Sequence, residues 1–297
     1  MRLNEYQQRA NATDQVSDTQ RIEALMTPVL GLSGRAGALS TEYLRYLRDG
    51  AAYQAFRQRT GEVLGDLLWY VSNIAHKNDL TLEDIARQNL EKTSNRWDRG
   101  TGEEAGAPDF DGAFPDNERF PRLFTVDVTA TRKSDGTSAV SLSYNGKPFG
   151  DPLTDNAEDE DGYRFHDIFH LAFVSHLGWS PVLRGRLFFN CKRKSSPTVD
   201  EVEDGGRAAV IDEAIAALIF NEAQKNSYYE GVNSVSIQLL QLIGQLTGHL
   251  EVSRCTMAQW EQAILNAFAV WRRVCREPSG RLMGNRETRR IEYVTNS

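Results

Sequence analysis

The stretch Gly61–Trp97 constrains the fold more than any other, because it contains two amphipathic helical patterns joined by a polar break at His76–Asp79. The first pattern spaces apolar residues three and four positions apart. The second begins at Thr81 with Asp84 three residues later, which is typical of a helix N-terminus. The apolar positions are Leu64, Leu67, Leu68, Val71 and Ile74, then Leu82, Ile85, Ala86 and Leu90. Two such helices predict a bundle with these faces in its core.

Polar residues in this stretch follow the same helical spacing. Glu62 and Asp66 lie four positions apart, so both project from one face of the first helix and are candidate metal ligands. Asn89, Lys92 and Arg96 form a similar row on the second helix and are candidate contacts to phosphate groups. We expect Lys92 or Arg96 to hold the Asp66 carboxylate from that second helix.

Two segments, LGDLLWYV at 64–71 and LTLEDIARQNLEK at 80–92, resemble the MazG-type all-α nucleoside triphosphate pyrophosphohydrolases. Asn4–Gln7 and Leu30–Gly34 extend the resemblance to most of 3–97. It implies a bundle in which carboxylates on two facing helices hold Mg²⁺, and the metal activates a water that cleaves a nucleoside triphosphate to a monophosphate and pyrophosphate. It also implies a homodimer or tetramer, because these bundles usually complete their sites across subunits.

The chain departs from that family at the metal-binding positions. The family has Glu-x-x-Glu after Leu-Gly-Leu-x-Gly, where this chain has Arg35 and Ala38. The family then has Glu-x-x-Asp, of which Asp66 remains, while Val63 replaces the Glu and Glu62 lies one position earlier. Arg35 brings a permanent positive charge where Mg²⁺ needs an oxygen ligand. We therefore expect the bundle to keep the fold but to bind Mg²⁺ weakly or not at all.

The composition is ordinary for a globular chain with two domains. Of the 297 residues, 40% are hydrophobic and 25% are charged. A net charge of −7 argues against binding of extended nucleic acid, whereas a nucleotide needs only a local positive site. Three cysteines without a C-x-x-C spacing indicate neither a zinc ribbon nor a disulfide framework. Without a signal-peptide core or a long apolar run, we expect a cytoplasmic protein with no membrane partner.

The rest of the chain predicts a mostly α protein with one small β element. Gly, Pro, Asp and Glu cluster over 98–121 and predict a linker, and apolar alternation over 122–150 predicts a small β-hairpin or meander. Helical patterns follow at Tyr163–Trp179, Val199–Lys225, Val235–Thr247 and Met257–Arg276. We therefore predict a MazG-like helical bundle at 1–97, a C-terminal helical domain at 151–280 and a basic tail at 281–297.

The second half contains a group of metal-ligating side chains. His166 and His170 are four positions apart on one helical face, with Asp167 beside them. Glu213 lies in the otherwise apolar segment Val210–Phe220, where a carboxylate needs a cation or hydrogen bonds. The two helices predict a metal cage with both histidines as ligands. Asp167 and Glu213 are its candidate catalytic residues.

The loop before the second of these helices supplies further candidates. Glu203 and Asp204 precede Gly205-Gly206 and are expected at the rim of the cage as additional metal ligands. The two glycines would let a phosphate approach the helix start, where free N–H groups favour anions. The basic segment Arg184–Lys194 and the following helix supply the candidate phosphate-binding cations, which are Lys192, Lys194 and Arg207.

Other interpretations of these residues stay open. The histidines could be hydrogen-bonded residues of an amphipathic helix, the acids of 200–204 could favour a helix start, and the basic segment could be a solvated loop. His-Asp-x-x-His resembles the zinc-peptidase motif, but no clear third ligand follows, and an HD-type phosphohydrolase needs a further upstream histidine. Tyr163–Asp167 and Glu201–Arg207 resemble the C-terminal extension of some MazG-type domains, whose chemistry the resemblance leaves open.

Taken with the resemblance, these residues predict a nucleotide pyrophosphohydrolase that uses Mg²⁺ or Mn²⁺. Imidazole ligands would favour Mn²⁺ or a softer metal in the second site. The substrate would be a nucleoside triphosphate or a modified nucleotide. The alternative is a non-catalytic nucleotide-sensing or scaffold protein that keeps the MazG-like fold without its metals, and the missing Glu-x-x-Glu motif favours that alternative for the N-terminal bundle.

Overall fold

The computed structural model describes residues 1–16, 22–97, 108–132, 134 and 136–295, with only the backbone described over 91–97. The chain forms two compact units, Met1–Ser94 and Asn95–Ser297. No helix in these described ranges combines the length and the apolar composition that crossing a bilayer requires.

The N-terminal unit consists of helices. They are α1 Leu3–Asn11, α2 Ile22–Asp49, α3 Phe56–Lys77 and α4 Leu82–Trp97. Packing of α3 against α1 and α2 holds the unit together. The Gln7 side chain joins α1 to the start of α4, donating to the Leu80 carbonyl and accepting from the Leu82 N–H, both at 2.9 Å. The predicted start of α4 is confirmed, because the Thr81 hydroxyl accepts a hydrogen bond from the Asp84 N–H at 3.1 Å.

The predicted core of this unit is wrong in one respect. Leu64, Leu68 and Val71 of α3 are 49%, 41% and 36% exposed, while Val63 and Ala75 are buried. The helical period is as the sequence indicates, but the neighbouring helices cover a different face of α3. A continuous apolar face therefore stays uncovered in this unit.

The C-terminal unit is built on one antiparallel sheet of five strands in the order β3-β2-β1-β4-β5. The strands are β1 Leu123–Arg132, β2 Ser138–Tyr144, β3 Lys147–Pro148, β4 Ser279–Asn285 and β5 Arg290–Thr295. Strand β1 lies at the centre, with Val126 opposite Tyr144 on one side and Leu282 on the other. The first seven residues of β1 alternate strictly between exposed and buried, as predicted.

The sheet corrects two predicted segments. The small hairpin at 122–150 is part of a larger sheet, and the basic tail at 281–297 contributes to two of its strands, of which β5 contains the segment Arg290–Val294 that the sequence indicates as a possible strand or arm. Leu282, Ile291 and Tyr293 point into the core with at most 1% exposure. Arg281 and Arg290 occupy exposed positions of these strands, whereas the Arg286 side chain is buried against Asp111.

The predicted linker at 98–121 contains aromatic residues that indicate packing across a surface. Its described residues, 108–121, pack onto the C-terminal unit, where Phe110 and Phe120 are 6% and 2% exposed. The first part of the predicted linker, 98–107, lies outside the described residues. Aromatic residues within a Gly- and Pro-rich segment bury too much apolar surface to remain in water.

Helices cover the sheet and hold the residues of interest. They are α5 Asp167–Leu177, α6 Pro197–Val202, α7 Gly206–Lys225, α8 Ile237–Thr247 and α9 Met257–Arg276. All residues of α5 are buried, because it packs between α9 and the strands β4 and β5. The predicted helix at 199–225 is interrupted before α7. The chain turns tightly at Gly205. A Cβ at this position would lie only 1.9 Å from the Glu201 carbonyl oxygen, so the turn requires glycine.

Candidate metal centre

Three side chains from the start of α5 and from α7 converge. The ligand atoms of His166, His170 and Glu213, here called the His-His-Glu cluster, lie within 4.8 Å of one another. Glu213 Oε2 is 3.7 Å from His166 Nε2 and 3.4 Å from His170 Nε2. Bonds of about 2.1 Å at a tetrahedral angle place two ligand atoms about 3.4 Å apart. The cluster therefore has the dimensions of a site for one small divalent cation.

Hydrogen bonds orient both imidazole rings with the same nitrogen towards the cluster. The Nδ1–H of His170 donates to Asp212 Oδ1 at 2.8 Å, so Nε2 carries the free lone pair. His166 Nδ1 lies 3.0 Å from the Tyr163 carbonyl oxygen and donates to it, and the Tyr163 ring stacks on the imidazole at 4.5 Å. His170 Nε2 is fully buried and has no hydrogen-bond partner among the described residues. A buried imidazole nitrogen without a hydrogen-bond partner is typical of a histidine that ligates a metal.

Asp212 fixes the orientation of the His170 ring through the Nδ1–H. Its carboxylate is completely buried and accepts from the Ser180 hydroxyl at 2.6 Å and from the Val182 N–H at 3.2 Å. The acid thus connects α7, α5 and the loop after α5 in one hydrogen-bonded unit. Carboxylate–histidine pairs of this kind hold the tautomer and raise the basicity of metal-binding histidines.

The electrostatics of the site favour a positive charge in it. Burial by itself would lower the pKa of His170, but the Asp212 and Glu213 carboxylates raise it well above its usual value. The interaction with His170 lowers the pKa of Glu213 and outweighs the effect of its burial. Burial raises the pKa of Asp167, and the two histidines only partly oppose this. The cluster therefore favours a bound cation, either a proton on His170 or a metal ion.

Comparison with known proteins assigns the region that contains the cluster to a family. A family model described as the MazG C-terminal domain matches residues 105–297, which include every residue of the His-His-Glu cluster. The chain belongs to the MazG C-terminal domain family. It is also similar to the Gene 37 protein of Mycobacterium phage L5, with 35% identity over 91 residues that make up 30% of this chain and 80% of that protein. No solved structure matches the chain.

Within this MazG C-terminal domain, two of the predicted ligands lie outside the cluster. Asp204 is buried and pairs with Arg193 at 2.6 Å and with Arg184 at 3.4 Å. Glu203 accepts a hydrogen bond from the backbone N–H of Glu251 at 2.9 Å. Both acids are therefore engaged by groups of the protein. Asp204 lines a cavity together with Glu213, as a rim residue would, but arginines from the basic segment turn inward and bind its carboxylate.

Those arginines belong to a larger set of buried charges, here called the buried ionic network. It consists of Asp111, Arg184, Arg193, Asp204, Glu251 and Arg286. Arg193 binds two carboxylates at once, Asp204 at 2.6 Å and Glu251 at 2.7 Å. The predicted solvated loop at 184–194 is thus a buried structural segment at these two arginines. The network fixes the chain immediately before α7, the helix that carries Asp212 and Glu213.

The remaining predicted residues of this domain differ in their proximity to the cluster. Asp167 Oδ1 lies 3.8 Å from His166 Nε2, next to the ligand set. Glu213, predicted as catalytic, has its carboxylate beside both Nε2 atoms, which is the position of a ligand. Lys192 and Glu213 line one cavity. Lys194 and Arg207 are exposed and do not line that cavity.

The site residues predicted in the N-terminal unit form no comparable group among the described residues. Asp66 pairs with Arg35 at 3.1 Å, and Glu62 pairs with Arg59 at 3.2 Å, with all four side chains about half exposed. Arg35 thus holds Asp66 in the described part of the unit. The side chains of Lys92 and Arg96 lie outside the described residues, and Asn89 is exposed.

Proposed function

We propose that the C-terminal unit is a metal-dependent nucleotide phosphohydrolase, which cleaves a nucleoside triphosphate to a monophosphate and pyrophosphate at the His-His-Glu cluster. The observation that carries the proposal is the convergence of two oriented, free imidazole nitrogens with the Glu213 carboxylate. Membership of the MazG C-terminal domain family supports a nucleotide as the substrate. The base and sugar are not specified by these residues.

The donor set favours particular metals. Mg²⁺ prefers oxygen ligands in an octahedral arrangement, whereas imidazole nitrogens suit Mn²⁺ and softer divalent ions. His166, His170 and Glu213 would hold the ion by three bonds and leave positions open for water and substrate. When bound, such an ion supplies Lewis-acid chemistry, which activates water and neutralises charge on a phosphoryl oxygen.

The protein's own residues would position the reaction. Asp167, next to the ligands, accepts a proton from the attacking water, whose oxygen forms the new bond to the α-phosphorus. The bond from the α-phosphorus to the bridging oxygen breaks, and that oxygen leaves with the pyrophosphate. Asp212 keeps His170 in the tautomer that binds metal throughout, and the Tyr163 carbonyl does the same for His166.

A different function is favoured for the N-terminal unit. The Arg35–Asp66 ion pair occupies the place where the resemblance to MazG-type enzymes would put metal-binding carboxylates. We therefore propose that this unit keeps a MazG-like fold without the metal and acts in nucleotide sensing or as a scaffold. Asn89, Lys92 and Arg96 remain its candidate phosphate contacts.

We also propose that the N-terminal unit mediates self-association into a dimer or tetramer. Leu30, Leu44 and Leu47 of α2 are 65%, 67% and 78% exposed, and Leu64 of α3 is 49% exposed. Large apolar side chains exposed in such number on two packed helices favour an interaction surface. Sedimentation velocity of the wild-type protein and of the double variant Leu44→Ser/Leu47→Ser tests this, with a monomeric wild type contradicting it.

The catalytic proposal is tested by pyrophosphate release from a mixture of nucleoside and deoxynucleoside triphosphates with Mn²⁺, Co²⁺, Zn²⁺ or Mg²⁺. Glu213→Gln should lower turnover by at least about 100-fold, since even outer-shell partners of metal ligands contribute 10–100-fold. Glu222→Gln, on the same helix but outside the cluster, is the matched control and should retain activity. Loss of turnover in Asp66→Asn instead, with fold and oligomer intact, would place catalysis in the N-terminal unit.

A further inference from the structure

A cavity of about 410 Å³ lies beside the His-His-Glu cluster. Its walls include Pro181, Val182, Lys192, Gly205, Gly206 and Glu213. One wall is the first two turns of α7, from its N-terminus at Gly206 to Glu213. Seven residues of α-helix span about 10 Å, and side chains lean towards the helix N-terminus, which shortens the gap between the Glu213 carboxylate and the helix start. The cavity thus joins the cluster to a second polar region less than two helical turns away.

That second region carries an uncompensated positive charge. Lys192 is the one basic residue among the described residues that line the cavity, and no described carboxylate pairs with it. Asp204 also contributes to the wall, but its oxygens are bonded to Arg193, so it does not neutralise Lys192. The N-terminus of α7 adds the positive end of its dipole and free backbone N–H groups.

A second observation, next to the cavity residue Glu213, also indicates a ligand. His170 Nε2 is completely buried and has no hydrogen-bond partner within the described residues. It lies 3.4 Å from Glu213 Oε2, and Glu213 is the residue that the cluster and the cavity share. A metal at the cluster would therefore face the same space as Lys192.

We propose that this cavity binds the phosphate chain of the substrate. The phosphate under attack lies at the His-His-Glu cluster, and the distal phosphate lies between Lys192 and the N-terminus of α7. The two ends together require the nucleoside triphosphate of the proposed function, since a single phosphate ester cannot reach both of them. This inference rests on the proposed function, because it takes the cluster as the place of cleavage.

Gly206 offers a way to block the cavity without disturbing the fold. A Cβ built at Gly206 meets no atom within 4 Å, and the backbone there is compatible with any residue. Gly206→Leu should therefore fill the space in front of the helix start. Lys192→Gln removes the charge, and Lys225→Gln, at the exposed far end of α7, is the matched control.

The test is isothermal titration of the full-length, metal-loaded protein with inorganic tripolyphosphate and with orthophosphate. Tripolyphosphate should bind more tightly than orthophosphate. Lys192→Gln should weaken tripolyphosphate binding by roughly 10-fold or more, the effect of losing a charged hydrogen bond, and Lys225→Gln should not. Gly206→Leu should also weaken it, while metal content and circular dichroism stay unchanged in all variants. In turnover, Lys192→Gln should raise KM with little change in kcat.

The outcomes separate this inference from the proposed function. If folded Lys192→Gln and Gly206→Leu bind tripolyphosphate as the wild type does, the phosphate subsite is wrong, while cleavage at the cluster can still hold. If His170→Ala keeps full activity, cleavage at the cluster is wrong whatever binds in the cavity. Equal binding of orthophosphate and tripolyphosphate would show an adventitious ion only and would also overturn the inference.

Discussion

The two units place the same kinds of side chain in opposite environments. In the N-terminal unit, the leucines of α2 are exposed and the Arg35–Asp66 pair lies in water with nearly half of each side chain accessible. In the C-terminal unit, every residue of α5 is buried, and the Arg193 and Asp204 side chains are 1% and 0% exposed. Apolar periodicity and charge pairing exist in both units, but the N-terminal unit encloses one pair, Lys77–Asp14 at 2.8 Å, whereas the C-terminal unit encloses a connected network of them.

This difference shows where the functional chemistry can reside. An exposed acid beside an exposed arginine gains little from the pairing and nothing forces it to hold a fixed position. A buried imidazole or carboxylate must have a partner, so its position is determined by the surrounding fold. His170 and its partner Asp212, both fully buried, have that property, whereas Asp66 and Glu62 of the N-terminal unit do not. Glu213 is 48% exposed and owes its place in the cluster to the two histidines.

The largest effect should come from breaking one ion pair in each unit. Arg193→Met leaves Glu251 without its arginine and Asp204 with only Arg184, and should lower the free energy of unfolding of the C-terminal unit by about 3–5 kcal/mol. Arg35→Met removes an exposed pair and should cost at most about 1 kcal/mol. Urea denaturation followed by circular dichroism measures both. Similar losses in the two variants would mean that the environments of the two pairs do not differ as described.

A pH effect of somewhat smaller size should arise from His176 on α5. Burial, reinforced by Arg289 and Arg290, lowers the pKa of His176 to about 4, although Asn266 partly opposes this. Between about pH 6.5 and pH 4, His176 is protonated in the unfolded chain but not in the folded chain. The free energy of unfolding therefore falls as the pH falls through this window. The loss is about 3 kcal/mol.

The comparison of two histidine variants isolates this contribution. His176→Gln should show a flatter dependence of unfolding free energy on pH across the window than the wild type. His76→Gln, an exposed position in the N-terminal unit, should keep the wild-type dependence. If His176→Gln loses stability on acidification as steeply as the wild type, the buried histidine is not the source.

A further effect concerns Asp212, the carboxylate that orients His170. Asp212→Asn keeps the size of the side chain but can donate to Nδ1 and so favour the wrong tautomer of His170. Metal affinity should fall about 10- to 100-fold, or about 1.4–2.7 kcal/mol. Competition with a fluorescent chelator measures it. Ser180→Ala, which removes only one of the bonds to Asp212, should have a weaker effect, and a reversed order would contradict the role given to Asp212.

The sequence predicted the local parts of the site because local geometry is enough for them. His166 and His170 share a face through a spacing of four, and Glu213 stood out as an acid in an apolar helix. The predicted convergence followed from those two facts. Asp212 lies next to Glu213, but nothing in the sequence indicates that it is the acid that faces His170 and Ser180.

Pairings between segments far apart in the chain could not be predicted from the sequence. Strand β4 pairs with β1 across more than a hundred residues, so the C-terminal segment looked like a basic tail. Arg184 and Arg193 looked like part of a solvated loop, since a run of charges is usually exposed. Their burial depends on Asp111, Asp204 and Glu251, which come from three distant segments.

The most direct test of the account is the metal content of the full-length protein. After incubation with Mn²⁺ or Zn²⁺ and removal of free ion, mass spectrometry of the wild type should give about one bound ion per chain, as expected for a single tetrahedral site. His170→Ala should lose this ion, while Asp66→Asn and the exposed control His249→Ala should keep it. Retention of the ion by His170→Ala, or its loss from Asp66→Asn, would contradict the assignment of the metal centre to the C-terminal unit.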